Sequence, residues 1–127
     1  MTIESRAELT LPADSAYAAV LRMTTAGLGA RLDLTLDDIE DLRMAVSEAC
    51  ALILEVAREG GELHASYVLG DGRISVTVST DSGEGELDRE SFGWQVLGAL
   101  TTGLTAAADG ASHSISFTVT SSTDVTA

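Results

Sequence analysis

Lysine and asparagine are both missing from this 127-residue chain, cysteine and proline occur once each, and only five residues are aromatic. Without Lys, all seven positive charges are Arg, set against twenty acidic residues for a net charge of −13. Such a surface repels phosphate backbones, which excludes direct nucleic-acid binding. It suits a basic protein partner, whose approach it steers at low ionic strength, and solubility is the plainer consequence of the same charge. A single Cys excludes an internal disulfide and a Cys-based metal site. Cys50 falls on the apolar side of its helix and reads as a buried structural thiol. No segment approaches the ~20 apolar residues of a membrane span. The charged, polar start offers no apolar run for a signal peptide, so a cytoplasmic protein is expected. With so few aromatics, the core falls to Leu, Val, Ile and Ala. Hydrophobic residues make up 45%, enough for a folded chain. The length suits one domain, 1–127, and is too short for two cores.

Ser5 to Leu11 alternate polar and apolar and predict a strand closed by Pro12. Asp14 or Ser15 can cap a helix running to about Leu28, with Gly27 and Gly29 near its end. Thr35 with Asp38 resembles a capping box for a second helix, whose positive N-terminal end suits Asp37, Asp38 and Glu40. That helix spans Leu36 to Glu59 and stops at Gly60-Gly61. Glu62–Leu69 and Arg73–Ser79 form a hairpin around Gly70-Asp71-Gly72. A Gly- and acid-rich loop follows from Thr80 to about Arg89, then a short helix over roughly Ser91 to Thr102. Leu104–Ala108 and Ser112–Thr120 make a second hairpin across Asp109-Gly110. From about Ser121 the polar tail is expected to fray. Hairpins predominate, so the expected fold is an α/β two-layer sandwich with a mostly antiparallel sheet and helices on one face.

At about 100° per residue, Ile39, Leu42, Val46, Ala49, Cys50, Ile53 and Ala57 share one arc of the long helix, which packs on the sheet. Glu48 lies nearly opposite its centre, with Asp41 and Glu55 close by. Leu52 sits at the border between the two faces. By periodicity alone Glu48 is one more solvated acid on an acidic helix. His64 and His113 fall in strands of different hairpins, and neither has an acid or nucleophile at a spacing that implies chemistry.

The phrase Asp41-Leu42-Arg43-Met44-Ala45-Val46-Ser47-Glu48-Ala49-Cys50 resembles the N-box helix of the RsbW and SpoIIAB anti-sigma factors. These are small serine kinases on the histidine-kinase-like (GHKL) ATPase fold, whose order of strands and helices agrees with the one above. Ser91 to Leu100 resembles the degenerate third-helix segment of actinobacterial RsbW homologues. In that family the N-box Glu orients or deprotonates the attacking hydroxyl, and an Asn four residues on holds the Mg²⁺ bound to ATP. The resemblance gives Glu48 the first role. Leu52 stands where the Asn belongs, and an alkyl chain offers no oxygen to a hard cation. Phosphoryl transfer leans on that metal to neutralise charge on the phosphate oxygens.

Asp81-Ser82-Gly83-Glu84-Gly85 matches the family's D-x-G-x-G adenine loop. There the carboxylate accepts a hydrogen bond from the adenine amine and the glycines let backbone approach the base. The resemblance therefore makes Asp81, Gly83 and Gly85 nucleotide-binding, with Glu84 and Glu86 close enough to repel a polyphosphate. Gly93 is the remnant of a G-x-G turn whose amides hold phosphate at a helix N-terminus. Trp94 and Phe92 either stack on a base or pack an apolar helix face. Arg22 matches the first-helix Arg that contacts sigma factor and antagonist, and as a lone charge would be a solvated helix residue.

The resemblance implies an anti-sigma factor that sequesters an alternative sigma factor in transcriptional stress control. It would be countered by an anti-anti-sigma (STAS) antagonist, as a homodimer whose hold on ATP or ADP with Mg²⁺ is weak or lost. The alternative is an active serine kinase that phosphorylates its antagonist, with Glu55 or Asp41 holding the metal. No metal ligand is assigned.

Overall fold

The structure is a computed structural model that describes residues 4–122. Five strands, β1 (Ser5–Pro12), β2 (Glu62–Gly70), β3 (Arg73–Thr80), β4 (Thr102–Asp109) and β5 (Ser112–Thr120), form one sheet in the order β1-β2-β3-β5-β4. All four pairings are antiparallel, with Leu9 opposite Ala65, Tyr67 opposite Val76 and Val78 opposite Ile115. Strand period two sends Leu63, Ala65 and Tyr67, then Ile74, Val76 and Val78, then Ile115, Phe117 and Val119 to one buried face. The helices α1 (Ala18–Gly29), α2 (Leu36–Val56) and α3 (Phe92–Leu100) cover that face. α2 lies in the middle, against β3 and β5 below and between α1 and α3 at its sides. The expected two-layer sandwich is the observed architecture.

Leu42, Ala45, Val46, Ala49 and Ile53 of α2 are fully buried on the sheet. Burial of each larger side chain stabilises by about 1.5–3 kcal/mol. Tyr67 keeps its hydroxyl in the core because Thr25 Oγ1 meets it at 2.6 Å while donating to the Leu21 carbonyl at 2.8 Å. No buried side-chain polar atom among the described residues lacks a partner.

The capping box expected at α2 is present: Asp38 N–H donates to Thr35 Oγ1 at 3.0 Å and Thr35 N–H to Asp38 Oδ2 at 2.9 Å. Several boundaries differ from those the sequence predicts. Asp14 caps a 3₁₀ turn (Ser15–Tyr17) that leads into α1. α2 ends at Val56 rather than near Glu59, because Ala57 turns extended and bridges Gly83 while the Val56 carbonyl takes the Glu84 N–H at 2.7 Å. β4 starts two residues early through an irregularity at Gly103, whose φ of 65° a side chain would resist. At the start of the tail the Ser121 hydroxyl donates to the Asp33 carbonyl at 3.0 Å, and the Ser122 N–H donates to Asp38 at 3.0 Å. The remainder of that tail lies outside the described residues. Among those residues no helix is long and apolar enough to cross a membrane.

Candidate functional site

α3 lies along the side of α2 that periodicity assigns to solvent. Glu48 is therefore half-buried rather than free. Its carboxylate sits against the first turn of α3, where a Cβ added to Gly93 would come within 2.9 Å of Glu48 Oε1. Ser91 caps that helix, its hydroxyl accepting from the Trp94 N–H at 3.1 Å. The unsatisfied N–H groups and positive end of α3 thus face a carboxylate. A glycine second in α3 is what lets the two approach.

Beside this contact a groove of about 310 Å³ runs between the three helices, lined by Arg22, Met44, Ser47, Glu48, Phe92 and Val96 among others. Phe92 is 78% exposed and Met44 51%, although both are apolar. Arg43 is tied to Glu40 at 2.9 Å. Arg22 has no ion pair or side-chain hydrogen bond among the described residues, which leaves its guanidinium for a ligand. Its charge does reach Cys50. Burial pushes that thiol up to about 11, against a smaller downward pull from Arg22. Glu48, Gly93 and Arg22, far apart in sequence, are brought together here.

One turn on from Glu48, Leu52 is 3% exposed and belongs to the core cluster. Periodicity places it at the border between faces; the structure buries it with the core. An Mg²⁺ ion would find a methyl-lined core at that position. Among the described residues no three of His, Cys, Asp and Glu converge in a way that could hold a metal ion.

Asp81, Gly83 and Gly85 do not line the groove. β3 buries Val78 and Thr80 toward the helices, so Asp81 turns to the sheet's other face. There its Oδ2 lies 3.3 Å from Nε2 of His64, whose Nδ1 meets Thr10 Oγ1 at 3.1 Å. Gly83 lies under the ring of His113, and Gly85 follows with φ of 76°. Arg58 pairs with Glu84 at 2.9 Å and closes the loop over the end of α2. Trp94 is half-buried, with the Arg89 guanidinium 5.7 Å from its ring centre.

Spacing gives His113 no role, yet it is 2% exposed and its ring lies between the Gly85 carbonyl of the loop and the Ala111 carbonyl of its own hairpin turn. A signal for its burial was present: it alternates in phase with Ile115, Phe117 and Val119 and so faces the helices.

The chain matches the histidine kinase-like ATPase domain over residues 11–93, more than half its length. It belongs to that family. The chain is similar to the serine-protein kinase RsbW of Halalkalibacterium halodurans. That protein is 42% identical over 90 residues, 68% of this chain and 55% of that one. The serine-protein kinase RsbW of Bacillus velezensis is 33% identical over 97 residues, 74% of this chain and 59% of that one. The chain thus spans little more than half the length of these relatives. Among solved structures, the RsbU and RsbW domains of Rv1364c from Mycobacterium tuberculosis superpose with a TM-score of 0.71 at 20% identity. The match covers 91% of this chain and 32% of that one, and shows the shared fold. Membership of the family implies ATP with Mg²⁺ as the ligand. The oxygen donors it needs are not at Leu52, and Asp81 points away from the Glu48 groove.

Proposed function

We propose that this protein is an RsbW-type anti-sigma factor that works by capture. It sequesters an alternative sigma factor and is released by a STAS antagonist competing for an overlapping surface, with its ATP/Mg²⁺ site weakened or lost. The observation that carries the reading is the burial of Leu52 in the core one turn from Glu48. Chemistry that depends on a metal at that point loses its ligand, whereas capture needs only the fold and the groove. The groove supports it with an uncommitted cation, Arg22, beside the exposed apolar side chains of Phe92 and Met44. The RsbW relatives supply the class of partner, and the resemblance supplies the expected cytoplasmic homodimer.

Kinase activity is the second reading, favoured by the placement of Glu48 at the N-terminus of α3 beside Gly93. Asp41 or Glu55 would then have to supply the metal's oxygens. The two readings part on a pair of substitutions. Under capture, Arg22→Glu weakens binding of the sigma factor tenfold or more (about 1.4 kcal/mol), while Glu48→Ala binds like wild type. Pull-down and calorimetric titration measure both. Loss of antagonist phosphorylation in Glu48→Ala, from a wild type that phosphorylates in the presence of ATP and Mg²⁺, would decide for the kinase.

A further inference from the structure

The loop that should bring its backbone to a purine has already spent that backbone on its own chain. The Ser82 carbonyl accepts the Arg58 N–H at 2.9 Å, Gly83 N–H donates to the Ala111 carbonyl at 2.7 Å, and Glu84 N–H donates to the Val56 carbonyl at 2.7 Å. The Gly85 carbonyl lies 2.8 Å from Nε2 of His113. A Cβ at Gly83 would overlap the His113 ring at Nδ1 and Cε1, so glycine is required there by the imidazole itself. The ring is 2% exposed. Its Nδ1 faces the Ala111 carbonyl at 3.2 Å and its Nε2 the Gly85 carbonyl at 2.8 Å, and the shorter contact places an N–H on Nε2 toward Gly85. β5 holds the ring in place, His113 standing opposite Thr80 of β3.

These contacts put a planar nitrogen heterocycle against a glycine-rich loop, which is the arrangement a purine would need, and the heterocycle comes from the chain. We propose that His113 is a built-in latch: its imidazole occupies the inner side of the 81–85 loop, holds the loop shut and bars it from taking an external base. Gly83 and Gly85 then serve an internal ring rather than a nucleotide. The inference deepens the degenerate-site part of the proposed function and does not depend on partner capture.

The test uses the full chain and its His113→Ala variant, with amide resonances of the loop as the readout. Millimolar ATP with Mg²⁺ is expected to leave Gly83, Glu84 and Gly85 of the wild type unmoved. In His113→Ala, the Gly83 and Glu84 amides should exchange with solvent about tenfold faster or more. Added imidazole should slow them again and raise the melting midpoint of the variant alone. Saturable movement of the wild-type loop amides by ATP would overturn the latch, as would imidazole acting no differently on variant and wild type. Should His113→Ala not fold, long-range ¹H–¹⁵N correlation on the wild type decides. A slowly exchanging Nε2–H on His113 supports the latch, and a ring proton in fast exchange with water refutes it. Heat on adding ATP with the loop amides unmoved would end the nucleotide-free reading while supporting the latch.

Discussion

Asp38 keeps its charge at 5% exposure because two backbone N–H groups point at it, from Thr35 at 2.9 Å and Ser122 at 3.0 Å. Burial pushes the carboxyl up, and hydrogen bonds from Ser122 and Thr35 outweigh it, so the group sits below its ordinary 3.8. A folded value lower than the unfolded one contributes stability that is complete above the unfolded pKa. That contribution is lost as pH falls through the folded one. Asp38→Asn should therefore cost about 1 kcal/mol near neutrality and flatten the fall in stability below about pH 4. Urea unfolding from pH 2.5 to 7 checks it, and an unchanged acid limb would count against the carboxylate. The Thr35–Asp38 spacing announced half of this cap. The Ser122 half joins residues 84 positions apart, which no local pattern contains.

The long helix shows what periodicity can and cannot assign. Its apolar arc, its capping box and the inward Cys50 follow from spacing at 100° per residue. The environment of Glu48 does not, because spacing knows nothing of a neighbouring helix; α3 covers that flank and converts a solvated acid into a half-buried one. Leu52, at the border by spacing, is fully in the core. Restoring the motif residue by Leu52→Asn would place an amide among Ile, Val and Leu side chains. The expected cost is about 2–4 kcal/mol, from lost packing and an unpaired polar group. Chemical denaturation measures it, and calorimetry with ATP and Mg²⁺ should show no gain in binding. Native-like stability together with new Mg²⁺-dependent binding would mean the position is less committed to the core than its burial indicates.

At the scale of the molecule, a net charge of −13 with seven arginines makes each cation on the surface conspicuous. Three of them, Arg43, Arg58 and Arg73, are tied to carboxylates within 2.9 Å. Arg22 is not, and it lies in the groove. An acidic protein capturing a basic partner is steered by its whole field, so association should slow roughly tenfold as salt rises from tens of millimolar to physiological strength. Dissociation should change little over the same range. Stopped-flow mixing with the captured partner tests this, and an association rate indifferent to salt would remove the electrostatic argument. The sheet's far face carries hydroxyl pairs, Ser75 with Thr118 and Thr77 with Ser116, each at 2.8 Å. That polar face matches the sparing use of aromatics.

What the sequence determined by itself was everything with a short period: the strands by alternation, the helices by their arcs and caps, the turns by paired glycines, and through them the antiparallel two-layer fold. The motif residues Glu48, Asp81, Gly83, Gly85 and Gly93 were also legible there, as positions. Only the tertiary structure decided which of them share a space. Glu48, Gly93 and Arg22 meet because α1 and α3 flank α2. Asp81 leaves because one residue of strand phase carries it to the opposite face of the sheet. His113 enters because the hairpin that carries it returns beside β3. Contacts between residues distant in the chain depend on how elements dock, and docking is set by the summed burial of whole faces rather than by any motif.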